Sequence, residues 1–161
     1  MENNHINGID EYLSYQFREL INLIHSKIGC EFLGIALQGK NELDIGWPFV
    51  KGNNTEKYKW IKVRYGKGIA GKVISTDRPM QIIDFPNDII GISTDYPIML
   101  AEKLISAYAV PVRVDGVPKG ALLVGCRHSH VFSKQDHEEL QELARELEKL
   151  LPLYYSKEDS K

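Results

Sequence analysis

The chain has 161 residues, 43% hydrophobic and 26% charged, the composition of one globular domain large enough to enclose a core. Its 22 acids and 20 bases leave a net charge of −2, so nothing in the balance points to nucleic acid or an anionic membrane as partner. No apolar run is long enough to span a membrane and the start lacks the basic-then-apolar order of a signal peptide. With only Cys30 and Cys126 available for disulfides, the expectation is a cytoplasmic protein with reduced thiols.

Residues 9–28 predict the first helix. Ile9, Tyr12, Leu13, Phe17, Leu20, Ile21, Ile24 and Ile28 fall on one stripe at helical spacing, and Gly29 is placed to cap its C-terminus. Residues 31–38 read as a buried strand and residues 39–41 as a turn. Residues 43–51, with Trp47, read as a second strand in which Pro48 demands an edge or a bulge. A loop at 52–55 precedes a short strand predicted over 60–64.

Three glycines, Gly66, Gly68 and Gly71, then open an apolar helix predicted over 69–76. A Gly-rich turn that starts a helix leaves backbone N–H groups without intrahelical partners at the positive end of the helix dipole. Such an end suits a small anion or a polar head group. The segment is neither a P-loop nor the dinucleotide fingerprint, since it lacks the Gly-Lys-Ser/Thr ending of the first and the preceding apolar strand of the second. A plain strand-to-helix turn is the alternative.

A strand at 80–83 leads into a long loop, 84–95, of the kind that often binds ligands. Pro97 suits the first position of a helix running to about residue 104. Strands at 106–114 and 120–127 flank the hairpin signal Asp115-Gly116. Ser133 and Asp136 form a capping-box-like start for a last helix striped by Leu140, Leu143, Ala144, Leu147, Leu150 and Leu151. Pro152 is expected to close it. The expectation is a single α+β domain over residues 1–155 with a mostly antiparallel sheet, followed by a polar, frayed tail at 156–161.

The ordered set of motifs resembles a GAF domain, the small-ligand sensor module. It comprises residues 66–71, Thr76-Asp-Arg-Pro79, Asp84, residues 101–106 (Ala-Glu-Lys-Leu-Ile-Ser), Val110-Pro-Val112, residues 120–125 and residues 132–136 (Phe-Ser-Lys-Gln-Asp). These span about the whole chain. The resemblance implies a GAF fold: a central antiparallel sheet of five or six strands, the N- and C-terminal helices on one face, and a ligand pocket on the other. Trp47, the Gly68-Ile69-Ala70 turn and Tyr96-Pro97-Ile98 resemble the pocket of free-standing GAF nitrate receptors. That likeness implies a nitrate-binding sensor without enzymatic activity. It also implies a partner sensor histidine kinase in two-component control of nitrate respiration, and self-association or kinase contact through the terminal helices.

The residues support such a pocket on physical grounds. Nitrate is planar, singly charged and weakly hydrated, so an apolar pocket suffices if N–H donors point inward. Helix starts near Ile69-Ala70 and Pro97-Ile98 supply donors and partial positive charge, worth about 0.3–1 kcal/mol per end. The indole N–H of Trp47 adds a donor, while Val63, Tyr96, Pro97, Ile69 and Ile98 wall the site. Each has a plain alternative: Trp47 as a core aromatic, Pro97 as a helix starter, Tyr96 on the surface. No catalytic residue, metal or cofactor is expected. His128 and His130 lack a third ligand nearby in sequence. The rival readings are a free methionine-(R)-sulfoxide reductase-like enzyme, disfavoured because loop 84–95 holds no cysteine, and a GAF sensor of an amino acid or cyclic nucleotide.

Overall fold

The computed structural model describes residues 4–39 and 44–159; side chains are described from residue 11 to residue 156, residues 40–43 excepted. Residues 40–41 of the expected turn, the side chain of Ile9, and the last two residues of the expected tail lie outside the described residues. Six strands form one antiparallel sheet: β1 (Phe32–Gln38), β2 (Asp44–Lys51), β3 (Val63–Arg64), β4 (Met80–Ile82), β5 (Ser106–Val114) and β6 (Val117–Cys126). Their order across the sheet is β3-β2-β1-β6-β5-β4. The helices are α1 (Asn4–Ile28), α2 (Gly68–Thr76), α3 (Pro97–Ala101), α4 (Lys134–Glu148) and α5 (Leu151–Asp159). This is the expected GAF α+β fold.

Strand alternation divides the interior into two cores. Leu33, Ile35 and Leu37 of β1, with Leu122, Val124 and Cys126 of β6, face Leu13, Phe17, Ile21 and Ile24 of α1 and Leu140, Leu143 and Leu147 of α4. The opposite face presents Phe32, Ala36, Ala107, Ala109, Ala121 and Leu123 to α2 and α3. Small residues dominate this second face, which leaves room for two helices and a bulky indole to lie against the sheet. The β5–β6 hairpin turns at Asp115 and Gly116, whose φ values of 53° and 79° are the left-handed pair that a two-residue turn of this hand requires. Helix α4 starts on the expected capping box: Asp136 N–H donates to Ser133 Oγ at 3.0 Å and Ser133 N–H donates to Asp136 Oδ2 at 3.1 Å.

Five local expectations are corrected. The strand expected at 60–64 shrinks to Val63–Arg64, because β2 and β3 pair only through Asp44–Arg64 and Ile45–Val63. The residues before it form a 3₁₀ turn, Lys57–Trp60. Helix α3 stops at Ala101, ahead of Lys103, which adopts φ 55°. Pro152 does not end the chain's helical part; it is the second residue of α5, where its missing N–H would have had no intrahelical partner. That helix runs on through residues 156–159, where a frayed tail was expected. Finally, Tyr12 is exposed, and among the described side chains of the α1 stripe Leu13, Phe17, Ile21, Ile24 and Ile28 are buried and Leu20 is half-buried.

Candidate functional site

The site is set up by an irregularity in β2. Ile35 pairs with Phe49 and Leu37 with Gly46, so Trp47 and Pro48 together oppose Ala36. This is the bulge that Pro48 demanded, and bulges re-aim side chains. Trp47 points into the second core, 4% exposed, with its six-membered ring against Gly34 of β1. A Cβ at Gly34 would sit 2.8 Å from two ring carbons. The indole Nε1 is buried and has no hydrogen-bond partner among the described residues. A buried unpaired N–H costs about 1–3 kcal/mol, so this donor is a site in need of an acceptor.

Helix α2 faces the same core. Its first residues, Gly68, Ile69, Ala70 and Gly71, are buried, and its N-cap Lys67 makes no side-chain capping bond. The turn before it is packed tightly: a Cβ at Gly71 would lie 2.4 Å from the Arg64 carbonyl oxygen. Gly68 has φ +65°, and a Cβ there would meet the Asp95 carbonyl oxygen at 3.0 Å and Val63 Cγ1 at 3.6 Å. The start of α2, strand β3 and the residue preceding Tyr96 therefore converge on one point.

Tyr96 follows directly and is 1% exposed, which corrects the alternative that it lies on the surface. Its ring meets Phe85 edge-on at 5.9 Å between centroids and lies 6.0 Å from Lys72 Nζ of α2. Its hydroxyl donates to the Ile90 carbonyl at 3.0 Å. Burial and the neighbouring Asp95 carboxylate raise its pKa, so it remains a neutral donor. Loop 84–95 is tied down by Asp88, whose Oδ2 accepts from Ile83 N–H at 2.7 Å and Asp84 N–H at 3.1 Å. Trp47, Ile69, Ala70, Tyr96 and Ile98 all belong to one buried cluster, with Val63 packed against it; Pro97 is half-buried at the start of α3.

Glu102, which the sequence reading passed over, is 1% exposed. It sits just beyond α3 and pairs with Arg127 Nη2 at 2.7 Å. It also accepts from Asn54 N–H at 2.8 Å and Thr55 Oγ1 at 3.3 Å. Arg127 donates further to the Glu102 carbonyl and to the Gly52 carbonyl, both at 2.9 Å. The network locks the end of α3 to the loop after β2. Its only sequence signal was an acid in the 101–106 motif and a base at the end of the strand predicted over 120–127, 25 residues apart.

The thiols lie elsewhere. Cys30 and Cys126 belong to the helix-covered core, across the sheet from Trp47. Burial first, then the neighbouring Cys126, pushes Cys30 up from 9.0 to about 12, and burial also raises Cys126. Neither supplies thiolate at neutral pH. Ellman's reagent at pH 8 is expected to leave both unmodified in the native protein and to titrate two in denaturant. Because the folded value for Cys30 lies above its ordinary one, the stability it contributes is complete below pH 9 and declines as pH rises toward 12. An alkaline series of urea unfolding curves checks this. His128 Nδ1 lies 3.6 Å from Glu31 Oε1 and His130 packs edge-on against Phe132. Among the described residues no three His, Cys, Asp or Glu side chains group as metal ligands.

The GAF domain family model matches residues 15–151. The chain belongs to the GAF family. Among solved GAF-like structures it is 34% identical to a hypothetical protein of Staphylococcus aureus, covering 73% of this chain and 98% of that one at a TM-score of 0.66. It is 32% identical to Staphylococcus aureus NreA mutated in its nitrate binding site, covering 75% and 90% at a TM-score of 0.69. A free methionine-R-sulfoxide reductase from Neisseria meningitidis is 19% identical over 92% of this chain and 86% of that one, TM-score 0.68, a likeness of fold alone. No curated protein matches this GAF chain in sequence. Among the described residues, no helix is long and apolar enough to cross a membrane.

Proposed function

We propose that this GAF domain is a cytoplasmic receptor for nitrate, without enzymatic activity, whose occupancy is read by a sensor histidine kinase. The observation that carries the reading is the buried, unpartnered Nε1 of Trp47 in the apolar cluster that contains the uncapped start of α2. An anion that accepts from the indole and from first-turn N–H groups answers both needs. The likeness to a protein with a named nitrate binding site supports nitrate over other small ligands. Sulfate and phosphate carry more charge than nitrate, and a site walled mainly by apolar side chains buries it at higher cost.

Tyr96 connects the site to its surroundings. Its ring is part of the cluster, and its hydroxyl holds the Ile90 carbonyl of the exposed loop. A ligand that prefers one position of Tyr96 therefore shifts loop 84–95 and α3, and a kinase that distinguishes the two positions reads occupancy. The terminal helices, with Tyr12, Tyr15, Leu23 and Leu153 exposed, are the surface this reading assigns to self-association or to the kinase.

The test is calorimetric titration with sodium nitrate, with chloride and sulfate at matched ionic strength. Saturable one-site heat with nitrate alone is expected. Absence of heat from folded, ligand-free protein overturns the reading.

A further inference from the structure

Trp47 has two neighbourhoods. It belongs to the buried cluster, and it also lines an open groove of about 290 Å³ together with Gly46, Pro48, Tyr58, Lys59 and Lys62; Ile61 completes the wall. Tyr58 and Ile61 are half-buried and pack from the groove side against the same cluster. Trp47 thus borders both the open groove and the buried cluster, with Tyr58 and Ile61 packed between the two.

The segment carrying Tyr58 and Ile61 is hydrogen-bonded to its neighbours at its ends, and between them it is held by packing against β2 and α3. At one end Thr55 bonds Glu102; at the other Val63 pairs with Ile45. In between, the backbone bonds recorded are local: Lys59 N–H to the Glu56 carbonyl at 3.2 Å and Ile61 N–H to the Tyr58 carbonyl at 3.3 Å. Beyond Ile45 no rung joins β2 to this strap. Opening it breaks side-chain packing on β2, α3 and the cluster but no sheet rung, and segments held without ladder bonds open at lower cost than strands.

The strap is also positive. Residues 57–67 carry Lys57, Lys59, Lys62, Arg64 and Lys67 and no acid. Lys59 is paired with Glu56 at 2.7 Å, whereas Lys62 is exposed and has no acidic partner among the described residues. A cation on the rim of a cleft raises the local concentration of anions and their rate of capture.

We propose that this groove is the access route of the anion: Lys62 draws it to the groove, and Tyr58 and Ile61 form a gate that opens onto Trp47. The proposal rests on the nitrate reading above, and it assigns capture and gating to residues outside the pocket itself. Lys62 acts on arrival only. Ile61 acts equally on arrival and departure.

The two roles are separable by stopped-flow fluorescence. A Trp60→Phe background leaves Trp47 as the only tryptophan, since Trp60 is 83% exposed. Sodium nitrate is mixed with this protein and with Lys62→Glu, Ile61→Ala and, as a remote control on α4, Lys134→Glu. Lys62→Glu is expected to slow association roughly tenfold and to flatten its dependence on ionic strength, with dissociation unchanged. Ile61→Ala is expected to speed both rates by a similar factor, leaving Kd within about twofold. Lys134→Glu should match the background. Equal association rates for Lys62→Glu and Lys134→Glu, or an Ile61→Ala effect confined to dissociation, would overturn the access route while nitrate binding stood. A background protein that binds no nitrate in the calorimeter as well removes the receptor reading and the route with it.

Discussion

Arg127→Met is expected to destabilise the domain by about 3 kcal/mol, the lower end for breaking a buried ion pair. The Glu102 side chain is fully buried, while that of Arg127 keeps 21% of its surface in water. Without the guanidinium, the carboxylate is left with the Asn54 N–H and the Thr55 hydroxyl, two neutral donors against a full charge. The Gly52 carbonyl loses its donor as well. Urea unfolding measures the loss as a shift in midpoint at constant m. Adding Glu102→Gln to Arg127→Met removes the uncompensated charge while retaining an acceptor for Asn54, and should recover part of the stability. A single-variant loss below about 1 kcal/mol would mean that the pair behaves as a surface contact. The effect matters for the site, because the network joins the end of α3 to the loop that follows Trp47 and Pro48.

That network also marks where sequence reasoning stops. Asp115-Gly116, the Ser133–Asp136 box and Pro48 were legible because each encodes its structure within a few residues: a left-handed pair, a reciprocal cap, a missing donor. The glycine spacing before α2 was legible for the same reason. Glu102 was not, because its meaning depends on Arg127, which reaches it only through the pairing of β6 with the rest of the sheet. The five-residue alternation at 60–64 misled for a related reason. β3 shares only two rungs with β2, beside the bulge at Trp47; Ile61 and Lys62 stay outside the ladder, and Trp60 belongs to the preceding 3₁₀ turn. Pro152 misled because proline stops a helix in its interior and starts one in its first turn, and the sequence around it is compatible with both. For the candidate site, the resemblance to the pocket of GAF nitrate receptors nominated Trp47, Ile69 and Ile98, with the helix starts and the donor-only indole as its physical support. The unpaired state of the indole nitrogen needed atoms.

Trp47→Phe is expected to weaken nitrate binding by roughly 10- to 100-fold while leaving the ligand-free protein within about 1 kcal/mol of its original stability. A hydrogen bond to a charged group is worth about 1.5–3 kcal/mol, and each 1.4 kcal/mol is a factor of ten in affinity. In the absence of ligand the substitution has two opposing consequences. It removes a buried donor that has no partner, which is stabilising, and it leaves unfilled space where the larger ring lay against Gly34, which is destabilising by a comparable amount. The near cancellation separates the two roles of this side chain. If Trp47 only packs, Phe should cost stability and leave nitrate affinity unchanged. If its nitrogen holds the anion, affinity falls and stability does not. Calorimetry and urea unfolding on one pair of proteins decide between them, and Trp47→Ala, which loses both ring and donor, should be weakened in both measurements.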